Sequence, residues 1–194
     1  MKKVVMLKDG TEVIIRPIEK DDLDKSFAFF QALPPQDRAY LRSDVTKPEV
    51  VRQRIQAMEL GKVRRLVAIY GEEIVADGSL ELEGHEWKEH IGELRLIVAR
   101  HFQRKGLGAL MARELYSLAT SEKIEEIVVK MLQPQVAARG IFKKLGFHED
   151  VTLHDYVKDI SGTKQDLIVM RCDLKSLWKE MEDYLAETDW QRTR

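Results

Sequence analysis

The chain has 194 residues, 44% hydrophobic and 34% charged, enough for one well-cored domain with little left for a second. Its net charge of −1 provides no global basic field for nucleic acid, and its single cysteine, Cys172, excludes an internal disulfide and fits a reducing cytoplasm. The run Met1-Lys-Lys-Val-Val-Met-Leu-Lys8 is too short in apolar residues for a signal peptide, and no stretch approaches a membrane span. The expectation is a soluble cytoplasmic protein of one domain over 1–194, with a core at about 11–172 and a terminal helix at about 173–187.

In chain order, Val13-Ile-Ile-Arg-Pro-Ile18 reads as a first strand, stopped near Pro17. Asp21 and Asp22 offer an N-cap for a helix to about Ala32, and Leu33-Pro-Pro-Gln36 ends it. A second helical region follows, broken near Thr46-Lys-Pro48 and resumed from Val50 to Leu60. Leu66–Tyr70 and Ile74–Ala76 flank Gly71-Glu-Glu73 as a hairpin, and Gly84–His90 is polar enough for a loop. A strand is expected from about Ile91 to Val98.

From Leu107, the apolar positions Leu110, Met111, Leu115 and Leu118 keep helical spacing. Glu125–Met131 reads as a strand, and Pro134 opens a helix that closes at Gly146. Phe147–Val157 and Gln165–Arg171 form a final antiparallel pair around Ser161-Gly162. Leu174, Leu177, Trp178, Met181 and Leu185 then make one stripe of a terminal helix, which packs on its own domain or forms a dimer contact. Periodicity by itself gives a mixture of α and β.

The most informative stretch is Glu93-Leu-Arg-Leu-Ile-Val-Ala-Arg-His-Phe-Gln-Arg-Lys-Gly-Leu-Gly-Ala109. A strand, a basic turn with Gly106 and Gly108, and a helix start follow one another, an order that builds an anion cradle. Glycines admit close backbone approach, the first helical N–H groups lack intrahelical partners, and Arg104 and Lys105 add charge. A Walker loop fails here, because the lysine precedes Gly106 and no Ser or Thr follows. A dinucleotide fingerprint fails because Met111 stands at the third glycine position.

Gln103-Arg-Lys-Gly-Leu-Gly-Ala109 resembles the pyrophosphate-binding signature Q/R-x-x-G-x-G/A of the GNAT superfamily of N-acetyltransferases. Downstream, Ala138-Arg-Gly-Ile-Phe-Lys-Lys-Leu-Gly-Phe147 is similar to that superfamily's A-x-x-x-Y-x-K-x-G-F block. The resemblance implies an α+β fold with a mixed, mostly antiparallel central sheet and helices on both faces. It implies acetyl-CoA as co-substrate, with its pantetheine arm along Leu96, Ile97 and Val98. Its diphosphate would lie on Gln103, Arg104, Lys105, Gly106, Leu107, Gly108 and Ala109. Gln135 falls where the superfamily usually has asparagine, and Phe142 where it usually has the tyrosine that protonates the departing thiolate. Phenylalanine has no proton to give, although a thiol is a fair leaving group unaided; Tyr156 or solvent are substitutes that nothing in the sequence places.

An acceptor amine must lose a proton before it attacks a thioester, and a free lysine is neutral only about once in 2,500 molecules at pH 7. Glu93 is the candidate base. Gly92-Glu-Leu-Arg-Leu-Ile-Val98 is similar to the glutamate-bearing strand of bacterial protein-lysine acetyltransferases, and Arg38-Ala-Tyr-Leu-Arg42 extends that similarity more loosely. Glu93 also reads as an ion-pair partner of Arg95, two residues along the same strand face, which would weaken it as a base. His85 and His90 are five apart and share no helical face, so no metal is expected. Cys172 reads as a buried apolar residue. The implied reaction is acetyl transfer to a primary amine, with protein lysine favoured and small amines open. The partners are acetyl-CoA and that acceptor, without nucleic acid or membrane, in a monomer or homodimer. The alternative is an acetyl-CoA sensor without catalysis, which Phe142 favours.

Overall fold

The computed structural model of the protein describes residues 2–82, 86–159 and 161–176. Its first two strands are β1 (Lys3–Met6) and β2 (Glu12–Pro17), which pair antiparallel. The core therefore begins earlier than residue 11, and the N-terminal run is a strand. The reason is period-two patterning: Val5 and Leu7 are buried while Val4 and Met6 face out. Leu7 N–H donates to Thr11 O at 2.8 Å to close the connecting turn, where Gly10 takes a φ of +83°.

Next come α1 (Leu23–Ala32), the single turn α2 (Pro35–Arg38) and α3 (Pro48–Glu59), the last two opened by prolines at their first positions. The hairpin of β3 (Val63–Tyr70) and β4 (Glu73–Leu82) leads to β5 (Ile91–Val98). A 3-10 turn occupies Glu86–Lys88 within the expected loop. Then follow α4 (Leu107–Ser121), β6 (Glu126–Leu132), α5 (Val136–Lys144), β7 (His148–Lys158) and β8 (Lys164–Asp173). The expected terminal helix is described only through residues 174–176, with Leu174 buried; Leu177, Trp178, Met181 and Leu185 lie outside the described residues.

All eight strands form one sheet in the order β1-β2-β3-β4-β5-β6-β8-β7, antiparallel at every junction except β5–β6. One face is apolar. Leu66, Leu80, Leu94, Ile127 and Met170 lie on it, fully or nearly fully buried, and α4 packs there through Leu107, Met111 and Leu115. Gly78 sets the closeness of this packing, since a Cβ there would stand 2.8 Å from Leu115 Cδ1. The opposite face, under α1 and α3, is polar yet largely buried: Arg65, Asp77, Ser79 and Glu93 are all under 9% exposed. Burying charge is costly unless it is paired, so this layer calls for a functional explanation. Among the described residues, no helix is long and apolar enough to cross a membrane.

Candidate active site

Strands β5 and β6 pair through only three residues each, Ile91–Glu93 against Glu126–Val128. Beyond Glu93 they part, although β5 stays paired to β4 as far as Val98 and β6 to β8 as far as Leu132. The result is a wedge with an unpaired edge of β5 along one side. Ala99 N–H donates to Val75 O on β4 at 2.9 Å. By strand alternation the main-chain groups of Leu96 and Val98 turn into the wedge, and those of Ile97 turn to β4. Gln103 Nε2 donates to Val98 O at 2.9 Å. An extended amide chain entering here would find the donors and acceptors that a neighbouring strand would otherwise use.

The basic turn sits at the mouth of the wedge. Arg104 and Gly106 adopt φ of +59° and +91°, and α4 begins directly after them, without a side-chain cap on its N-terminus. Lys8 N–H donates to Lys105 O at 3.0 Å, so the β1–β2 hairpin braces the turn. Beneath it, Phe102 is buried against Tyr70, with ring centroids 5.3 Å apart. Lys105 Nζ meets Asp9 Oδ2 at 2.9 Å, and this hydrogen bond with that of Thr11 N–H holds the Asp9 carboxyl down at about 2. The charge expected of Lys105 is thus shared with a carboxylate, whereas the exposed Arg104 has no ion pair among the described residues. A Cβ at Gly108 would touch only Val98 Cγ2, at 3.9 Å. Nothing within the described protein therefore requires glycine there. The bare helix start, the strained turn and this unoccupied Cβ position fit a diphosphate lying on the main chain of Gly106–Ala109.

Glu93 stands at the last paired position before the strands part, with its side chain on the polar face. It is 6% exposed and held by cations on three sides. Arg42, between α2 and α3, donates to Oε1; Lys130 of β6 donates to Oε2 at 2.8 Å; Arg95 Nε lies 3.5 Å from Oε1. Burial pushes the carboxyl up, but the Lys130 hydrogen bond and the Arg42 guanidinium outweigh it, and Glu93 sits below the usual glutamate range. The ion pair expected from Arg95 is present in weaker form, because Arg95 Nη2 is committed to Glu81 at 2.7 Å. Further along the same face, Arg65 and Arg54 both donate to Asp77 Oδ1, and Arg54 lies 4.5 Å over the Phe30 ring. Burial draws Arg54 down to about 10.

Among the described residues, Phe142, Tyr116 and Tyr156 offer no free acid on the far side of the wedge. Phe142 is buried in α5, edge-on to Phe147 at 5.1 Å, and Phe147 packs against Tyr116. Tyr116 donates to Leu145 O at 3.3 Å, and burial pushes its hydroxyl far above the ordinary tyrosine value. Tyr156 is exposed on β7, with β6 and β8 between it and β5. Gln135 stands just before α5 and accepts from Leu132 N–H at 2.8 Å, at the open end of β6. Cys172 is buried in β8. Among the described residues, no cluster of histidine, cysteine or carboxylate side chains is fit to hold a metal ion.

Arg42, Lys130, Arg54, Arg65 and Asp77 were not candidates on sequence. For Arg42 the signal was the loose pattern Arg38–Arg42; for Lys130 it was period-two alternation in β6, which places it on the face of Val128 and Glu93.

The acetyltransferase (GNAT) family model matches residues 28–147. No curated protein matches significantly. Among solved structures, the fold is similar to the GNAT domain of S. lividans PAT, at 17% identity and a TM-score of 0.75 over 89% of this chain and 96% of that one. It is also similar to the ribosomal-protein-alanine N-acetyltransferase of Brucella melitensis, at 21% identity and a TM-score of 0.71 over 82% and 98%. A third is yncA, a putative acetyltransferase from Salmonella typhimurium with its cofactor acetyl-CoA, at 17% identity and a TM-score of 0.72 over 84% and 94%.

Proposed function

Because the chain belongs to the acetyltransferase (GNAT) family, we propose that it moves acetyl from acetyl-CoA to a primary amine by direct attack in a ternary complex. The observation that carries this reading is the wedge: an unpaired strand edge opens onto a glycine turn, with a buried carboxylate where the strands part. Acetyl-CoA supplies the activated acyl group. Leu96 and Val98 hold its amide arm by their main chain, with Gln103 yielding the Val98 carbonyl as the arm arrives. The amides of Leu107, Gly108 and Ala109, with Arg104 beside them, hold the diphosphate, while Gln135 and Phe142 line the β6 side.

Glu93 is the base. It accepts one proton from the acceptor's ammonium, and the freed amine bonds the acyl carbon as the carbon–sulfur bond breaks, its electron pair leaving on sulfur; the second nitrogen proton passes to solvent as the neutral amide forms. Its depressed pKa keeps it ionised throughout the neutral range, at some cost in driving force. The thiolate takes its proton from solvent, since Phe142 has none to give and Tyr116 is sequestered. No covalent relay is invoked, because Cys172 is buried in β8. Protein lysine is the acceptor to test first, on the strand pattern of Gly92–Val98.

Glu93→Gln tests the assignment. We expect kcat/KM to fall by roughly 10²–10⁴-fold, with acetyl-CoA binding unchanged by calorimetry. An unaltered rate of thiol release would remove Glu93 from catalysis. If acetyl-CoA binds and no amine or protein ever gains an acetyl group, the sensing alternative takes over.

A further inference from the structure

Among the described residues, the polar layer under α1 and α3 is unbalanced. Five cations (Arg42, Arg54, Arg65, Arg95 and Lys130) are engaged with three carboxylates, Asp77, Glu81 and Glu93. An acceptor that arrives as a bare ammonium adds a sixth positive charge to this cluster. Low-dielectric surroundings sharpen that repulsion. An acceptor that brings its own negative charge does not have this difficulty.

Arg42 differs from the other partners of Glu93. Lys130 and Arg95 are fixed on strands, whereas Arg42 lies in the irregular segment between α2 and α3 and its side chain is 40% exposed. Its one bond among the described residues runs from Nη2 to Glu93, which leaves Nη1 and Nε uncommitted. A guanidinium fork with two free nitrogens suits a carboxylate, which it can grip at two points.

Resting on the acetyl-transfer reading above, we propose that the acceptor carries a carboxylate close in space to its amine, and that Arg42 exchanges Glu93 for that carboxylate as the ammonium takes its place. The exchange conserves ion pairs: the ammonium meets Glu93, and the carboxylate meets Arg42. It also removes one of the cations that depress the Glu93 carboxyl, leaving Lys130 and Arg95 facing it, so Glu93 becomes a stronger base once the acceptor is seated. Arg42 is thus both a stand-in for the substrate's charge and the residue that sets specificity. The carboxylate has two natural sources, the α-carboxylate of a free amino acid or an acidic side chain beside a peptide lysine.

The test uses matched acceptors with the whole chain and acetyl-CoA: lysine against 1,5-diaminopentane, and lysine peptides flanked by aspartate against the same peptides flanked by serine. Thiol release and the mass gain of one acetyl group are read. In at least one pair the carboxylated member should lead in kcat/KM by about 10–100-fold, the range of a charge-assisted bond, and that pair identifies the source. Arg42→Ala should close the gap, chiefly through KM, and Arg42→Lys should keep part of it. Equal or better use of the members lacking a carboxylate, or a gap that survives Arg42→Ala, overturns the proposal. So does acetyl-CoA binding with no member of either pair acetylated, which leaves the donor site standing. Failure to bind acetyl-CoA at all would fault the reading beneath the proposal instead.

Discussion

Gly106 and Gly108 stand two residues apart and answer to different demands. At a φ of +91°, Gly106 occupies backbone space that an L side chain enters only under strain, so Gly106→Ala should lower stability by about 1–2 kcal/mol in thermal or denaturant unfolding. Gly108 has ordinary helical surroundings and room for a Cβ. Gly108→Ala should therefore leave stability unchanged or raise it by up to about 1 kcal/mol, as alanine does within a helix. If its missing Cβ serves the diphosphate, the same change weakens acetyl-CoA binding about tenfold or more, a loss of ~1.4 kcal/mol. Calorimetry that finds full affinity in the stabilised variant would separate Gly108 from the ligand. This turn was legible in the sequence because its geometry is local: two glycines and a helix start within a few residues determine it. Glu93 was half legible. Its neighbour Arg95 follows from strand alternation, but Arg42 and Lys130 are 51 and 37 positions away, and only the folded sheet brings them to one carboxylate.

At the scale of elements, the join between β2 and α1 rests on Arg16 and Asp22. Both guanidinium Nη atoms of Arg16 donate to the Asp22 carboxylate, which also accepts from Glu19 N–H at 2.8 Å, and the Asp22 side chain is 5% exposed. Arg16 above all, and then the Glu19 amide, hold this carboxyl below its ordinary value against the opposing effect of burial. Asp22→Asn leaves a largely buried guanidinium unpaired and should cost about 2–4 kcal/mol at neutral pH. The depressed pKa sets the sign with acid. The contribution is complete above the unfolded value near ~3.9 and disappears as pH falls through the lower folded value. The stability difference between the two proteins in denaturant titrations should thus start to shrink only below about pH 4 and keep shrinking as the pH falls further, and a difference that stayed constant through that fall would place the stabilisation elsewhere. The sequence offers Asp21 and Asp22 as an N-cap, and Asp22 does stand at the N-cap of α1, but its carboxylate makes no cap bond to that helix and grips Arg16 of β2 instead, a role that capping preferences do not encode. The stretch from Asp21 to Leu60 was the hardest to read for the same reason. Its two important side chains, Arg42 and Arg54, have meaning only against β4 and β5.

For the whole molecule, the proposed donor site predicts that acetyl-CoA stabilises the fold. At a hundredfold excess over Kd the gain is about 2.7 kcal/mol, which for a chain of this size raises Tm by about 5–10 °C. ATP and NAD, whose motifs the turn fails, should leave Tm where it is, and an equal rise with either would refute the assignment. The sheet gives this prediction a mechanical sense. Five strands form one panel and three form another, and a seam of three residues on each side joins them, with α4 packed mainly on the larger panel and reaching the smaller one's side through Tyr116, which meets Leu145 O and Phe147. A seam so short gives the two panels few main-chain bonds to one another. Whatever fills the gap above it works as a keystone, coupling the stiffness of the two panels to the presence of the cargo between them.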